Sequence, residues 1–153
     1  MRRAYLLAGI AAGAVLVFTT AATVASVPLN RASRLSRHMD KVQHVAYCRM
    51  GYEIASSFPS YASRTAISYA AKKTLLNRSD ELFAQHEHLG ELLRGTFKAE
   101  ALKLGMDEFS YENVLAKFEA KAEVEAVVSF QSVNSTNEFI DKLDETCATY
   151  NIS

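Results

Sequence analysis

The chain has 153 residues, 17 basic and 17 acidic side chains, and a formal net charge of zero. It carries two cysteines, two prolines and only six glycines. Such a balance excludes the clustered basic field with which a protein tracks nucleic acid, and the length beyond the apolar start suffices for one domain that folds without a metal.

Twenty-seven residues without a charge, Ala4 to Asn30, follow Met1-Arg2-Arg3. Arg2 and Arg3 form a positive n-region, and Tyr5 to Phe18 is an apolar h-region. Small residues follow, from Thr19 to Ser26. This order fits a secretory signal peptide spanning residues 1–25. Cleavage after Ala25 places Thr23 and Ala25 at the two small positions, and Ala22 or Ser26 is also tolerable. No cysteine follows the h-region, so nothing supports a lipoprotein anchor.

The same segment fits a second reading. It exceeds the roughly 20 residues needed to span hydrocarbon. Arg31, Arg34, Arg37 and Lys41 follow it, and positive residues tend to stay on the cytoplasmic side. An uncleaved N-terminal anchor, pairing through Gly9 and Gly13, is therefore the alternative. The address is periplasmic or secreted in the first reading, and single-pass membrane in the second.

Without Arg2 and Arg3 there remain 15 basic and 17 acidic side chains, a net of −2. The one basic cluster is Arg31, Arg34, Arg37 and Lys41. It reads as a solvated helix start, or as a contact with anionic headgroups at a membrane surface. In an exported domain, Cys48 and Cys147 read as one disulfide. In the chain-entropy model a loop of this length stabilises by roughly 4–5 kcal/mol, as an upper figure.

Residues 26–153 read as a helical domain, and periodicity predicts helices nearly throughout. The first covers about Ala32 to Ser57, with stripes Leu35-Met39-Val42-Ala46-Met50 and Val45-Cys48-Tyr52-Ala55 on two sides. A helix apolar on two sides belongs at the centre of a bundle. Phe58-Pro59 is expected to end it. A second helix is expected over about Ser60 to Leu76, with Ala62, Ala66, Tyr69 and Ala70 facing inward. Asn77-Arg78-Ser79 is expected to break it, with Ser79 capping the next.

The third helix is predicted over about Asp80 to Leu104, stopped by Gly105, with Gly90 and Gly95 weakening its middle. The fourth starts near Ser110. Its later part, Val124, Val127, Val128 and Phe130, is apolar all round, which implies deep burial, a bound partner or local strand. The fifth has the clearest start, because Ser135-Thr136-Asn137-Glu138 fits a capping box. Phe139, Leu143, Cys147 and Tyr150 follow on one face. The expected fold is thus an all-α, single-domain bundle of four or five helices, with the first and last joined by the disulfide.

The chemistry is sparse. His86-Glu87-His88 resembles a metal fragment, but next-but-one helix positions point about 200° apart. His44 and Cys48 are four apart and form a nucleophile pair only if the thiol is free. Glu53 and Glu100 fall on apolar stripes, where carboxylates can do acid–base work or sit at a helix edge. No phosphate loop, nucleophile elbow, Cys-x-x-Cys or His-Glu-x-x-His occurs. Sequons at Asn77, Asn134 and Asn151 fall at predicted breaks or the tail and suit glycans in a host that adds them.

Tyr47, Tyr52, Tyr61 and Tyr69 cluster on the first two predicted helices. They are core, or a partner surface if exposed. The expectation is an exported, non-catalytic protein that binds another protein, without metal or cofactor. Inhibitors, immunity proteins and envelope regulators share this profile. An anchored accessory subunit is the alternative, and a small Cys/His enzyme the third.

Overall fold

The computed structural model describes residues 29–152. The predicted leader, residues 1–25, lies outside them. Five α-helices follow in order: α1 (Leu29–Ser63), α2 (Tyr69–Leu92), α3 (Lys98–Lys103), α4 (Glu108–Gln131) and α5 (Thr136–Cys147). A π-helical turn, Leu93–Phe97, joins α2 to α3, so these three form one continuous rod. The architecture is therefore a four-helix all-α bundle. Among the described residues no helix is long and apolar enough to cross a membrane.

α1 is the central element and packs on α2, α4 and α5. The second of its predicted stripes is buried throughout, and the first at Val42 and Ala46, with Leu35, Met39 and Met50 half-buried. Val42, Val45, Ala46, Cys48, Tyr52 and Ala55 are wholly enclosed. Leu82, Leu89 and Leu93 meet them from the rod, Tyr111 and Leu115 from α4, and Phe139, Ile140 and Leu143 from α5. Gly51 allows the closest approach of α5, since a Cβ there would lie 2.6 Å from Leu143 Cδ1.

Pro59 does not end α1, contrary to expectation. The helix continues through it to Ser63. Packing overrides the proline: Pro59 is buried, and the Phe58 ring stacks on Phe130 at 4.3 Å. Proline has no N–H for the carbonyl four residues earlier. Nearby donors are supplied by side chains, with Ser57 Oγ donating to Ile54 O at 2.7 Å and Ser79 Oγ of α2 to Ser56 O at 2.8 Å.

The break falls instead at residues 64–68. Ser68 is the N-cap of α2, accepting from the Ala71 amide at 3.1 Å. Asn77-Arg78-Ser79 is consequently mid-helix rather than a break. Asn77 and Ser79 are weak helix formers rather than blockers, Arg78 is a good one, and two of the three make contacts. Arg78 pairs with Glu81 at 3.2 Å and Asp144 at 3.7 Å, and Ser79 bonds to α1. The expected inner face of a second helix is absent, since Tyr69 and Ala70 are exposed.

The π-helical turn occupies the stretch that Gly90 and Gly95 were expected to weaken. It is held from both sides. Tyr111 Oη of α4 donates to Leu93 O at 2.6 Å, and His38 Nε2 of α1 lies 2.8 Å from Phe97 O. Burial pushes the Tyr111 phenol up to about 12.

The rod stops at Gly105, as expected. Its φ is +92°, a region that glycine enters freely. Gly105 N–H donates to Leu102 O and Met106 N–H to Ala101 O, the paired closure of a Schellman motif. Arg31 adds a charge to this helix end, with Nε donating to Leu104 O at 2.9 Å and Nη2 to Lys103 O at 3.3 Å. A cation there complements the partial negative charge of the last carbonyls.

α4 starts two residues before the expected Ser110. Asp107 caps it, accepting from Ser110 N at 2.9 Å and Ser110 Oγ at 2.5 Å. Those bonds hold the Asp107 carboxyl below its usual range. α5 starts where predicted. Ser135 Oγ accepts from Glu138 N at 3.2 Å, while Glu138 reaches back to Asn134 N at 3.0 Å, one residue before the box partner. That amide and Lys142 hold the Glu138 carboxyl low.

Cys48 and Cys147 form the disulfide, with Cα atoms 5.8 Å apart. It joins the middle of α1 to the end of α5. Cys48→Ala and Cys147→Ala should each lower the unfolding free energy by up to about 4 kcal/mol. The double variant should lose no more than the larger single loss, read by denaturant unfolding. Additive losses would show that the two sulfurs act separately.

Candidate functional site

Both cysteines are wholly buried and neither carries a free thiol. The expected neighbour, His44, does reach α5, with Nε2 3.2 Å from Thr146 O and its ring 5.9 Å from that of Tyr150. A sulfur held in a disulfide is not a nucleophile. His44 and Cys48 therefore form a packed corner between α1 and α5 in this oxidised state.

The four tyrosines do not form one patch. Tyr47 is half-buried and donates to Ser129 Oγ at 3.3 Å. Tyr52 is wholly enclosed, because position 52 lies on the stripe of α1 that α5 covers. Its hydroxyl donates to Asp144 Oδ1 at 2.7 Å and accepts from Asn151 Nδ2 at 2.6 Å. Burial first, and the Asp144 carboxylate second, raise its phenol far above the usual range. It has no surface to offer a partner. Only Tyr61 and Tyr69 are exposed, 71% and 83%, at the end of the bundle where α1 turns into α2.

The remaining sequence candidates separate. His86 is buried and His88 half-exposed. Among the described residues no group of three or more His, Cys, Asp or Glu is disposed to hold a metal ion. Glu53 is exposed and Glu100 half-exposed, so neither carboxylate is enclosed. Asn77 lies exposed within α2 rather than at a break. Asn151 is engaged by Tyr52, so a glycan there would displace that bond. Of the basic cluster, Arg31 is committed to the end of α3. Arg34, Arg37 and Lys41 are exposed on α1 and line a shallow pocket with His38, Glu100 and Leu104.

One polar cluster was not anticipated. Arg49 of α1 pairs with Glu119 of α4. His86 of α2 packs against both polar ends of Arg49, with Nδ1 3.2 Å from Arg49 O and Nε2 3.3 Å from Arg49 Nη2. The three side chains tie three helices together under the surface. The signal for them was present: Arg49 follows Val45 by four and Glu119 follows Leu115 by four, so each continues an apolar stripe.

The outward face of α4 carries the apolar stretch that the sequence singled out. Val124, Val127 and Val128 remain 63%, 40% and 58% exposed. Ala122 and Ala126 point to the core, and at about 100° per residue the three valines lie opposite them. Glu123 and Glu125 flank the stripe, Lys121 pairing with Glu125 at 3.5 Å. Of the three expectations for this stretch, strand is overturned because the segment is helical, and deep burial fails for the three valines, whereas Phe130 packs half-buried against the core.

Comparison with protein-family models, with curated proteins and with solved structures finds no match.

The tyrosines divide by role, and stability measures the division. Tyr52→Phe removes a buried hydrogen bond to a carboxylate and should cost about 1.5–3 kcal/mol. Tyr61→Phe should stay within about 0.5 kcal/mol, as for ordinary surface changes. Equal effects in chemical denaturation would contradict the placement of Tyr52.

Proposed function

We propose that this chain is an exported, non-catalytic protein-binding factor of the cell envelope, of inhibitory or immunity type. Its recognition surface is the outward face of α4. The observation that carries this reading is the stripe Val124, Val127 and Val128, exposed on a well-formed helix of a disulfide-closed bundle.

Valine is a weak helix former because its branched side chain loses rotamer freedom in a helix. Three of them on a solvent face weaken α4 and gain nothing in the free chain. Contact with a partner supplies the gain, since covering a valine is worth roughly 1.5–3 kcal/mol when complete. An apolar stripe between charged residues is the usual layout of a recognition patch, with a dry centre and a wet rim. Here Glu123 and Glu125 form the rim beside the valines. A helical segment of a partner protein, laid along α4 with its own apolar side chains at i and i+4 spacing, is the matching occupant.

A photo-reactive residue at position 128 should yield one adduct of constant mass in the producing cell. The same residue at Glu91, exposed on α2, should yield none. Val124→Lys with a reactive residue at 128 should abolish the adduct while stability changes by no more than about 0.5 kcal/mol. Failure to trap any protein from both 124 and 128 would remove the basis of this reading.

A further inference from the structure

We propose that the projecting tip of the α1–α2 hairpin docks on an anionic lipid bilayer. This inference is independent of the α4 surface and rests on a different part of the molecule.

The α2 arm of the tip is open to solvent. Ser79 Oγ ties α2 to Ser56 O of α1 at 2.8 Å. Beyond that tie α2 runs ten residues to Tyr69, about 15 Å at the helical rise. Over Tyr69–Arg78 every residue except Leu75 is exposed. Tyr61, Ile67 and Tyr69 carry their apolar surface into solvent there, Ile67 completely.

Charge separates with the same boundary. No aspartate or glutamate occurs between Glu53 and Asp80, although the whole chain has zero net charge. Arg64, Lys72 and Lys73 lie in that stretch, are exposed, and make no ion pair among the described residues. Arg78 is excluded from the set, because Glu81 and Asp144 already pair with it. The first turn of α2 contains no acidic residue, so the partial positive charge of its amides adds to the same sign.

This combination matches a bilayer surface. Tyrosine places an apolar ring and a polar hydroxyl at headgroup depth. Ile67, between the two tyrosines, reaches the acyl boundary. Each cation near an anionic surface strengthens partition about fivefold, so Arg64, Lys72 and Lys73 together supply about a hundredfold. The basic turn at the opposite end, Arg34 to Lys41, contains no tyrosine or phenylalanine, and its own apolar residues Leu35 and Met39 are half-buried.

The chain contains no tryptophan, so Ile67→Trp creates a single fluorescent reporter at the tip. Phe109→Trp places one at the start of α4, at the other end of the bundle, where Phe109 is also exposed. The full chain is mixed with phosphatidylcholine vesicles, with and without phosphatidylglycerol. The expected result is a blue shift of Ile67→Trp emission only when phosphatidylglycerol is present, and no shift of Phe109→Trp. Insertion driven by the leader would not separate the reporters in this charge-dependent way. Adding Lys72→Glu and Lys73→Glu to Ile67→Trp should weaken partition at least about tenfold, with helicity by circular dichroism unchanged. Absence of the shift, an equal shift without phosphatidylglycerol, an equal shift of Phe109→Trp, or indifference to the charge reversal would each overturn the proposal.

Discussion

α5 has only 12 residues, and an isolated helix of that length is marginal in water. It is nonetheless the element that covers the second stripe of α1. Several contacts hold it there, and these stand out. The Cys48–Cys147 bond fixes its end, Leu143 seats in the space left by Gly51, and Tyr52 bonds Asp144 and Asn151. The covalent bond is the constraint on which the others depend, because it keeps α5 near α1 whether or not the rest is folded. Without it, only noncovalent contacts keep Tyr52, Cys48 and Leu143 enclosed.

The closed frame has functional consequences. A core complete on its inner side leaves the outward valines of α4 and the projecting hairpin without an internal role. They differ in kind. The valine stripe is flanked by carboxylates and lies along a straight helix, which suits a protein partner. The hairpin end joins aromatic rings to unpaired cations, which suits a lipid surface. The partly buried Arg49–Glu119–His86 cluster differs from both: it ties three helices together.

Much of the fold was legible because it follows from local rules. The two stripes of α1, the Gly105 stop, the Ser135 start and the pairing of the cysteines all rest on helical period or on cap chemistry. The misreadings have one origin. Pro59 is the strongest local breaker in the chain, yet a buried site and the Phe58–Phe130 stack keep it helical. The true turn at 64–68 has neither glycine nor proline and only Ser68 as a cue. Moving the break by a few residues shifted Asn77-Arg78-Ser79 into a helix and Tyr69 into solvent. The binding surfaces were less legible. Periodicity showed that α4 is apolar all round near Val124, but only tertiary packing decides which side is left open. The four tyrosines share a stretch of sequence; Tyr52 follows the apolar stripe of α1 inward, whereas the position of the turn at 64–68 leaves Tyr61 and Tyr69 outside.

The central claim is a bundle locked by a disulfide in an oxidising compartment, and the redox state of the two cysteines in the producing cell tests it most directly. The intact mass is measured after alkylation without reductant. Zero alkyl groups is the expected result, with two appearing after reduction and unfolding. Two alkyl groups on the unreduced but unfolded protein would contradict it, placing the chain in a reducing compartment and returning Cys48 and His44 to consideration as a thiol–imidazole pair.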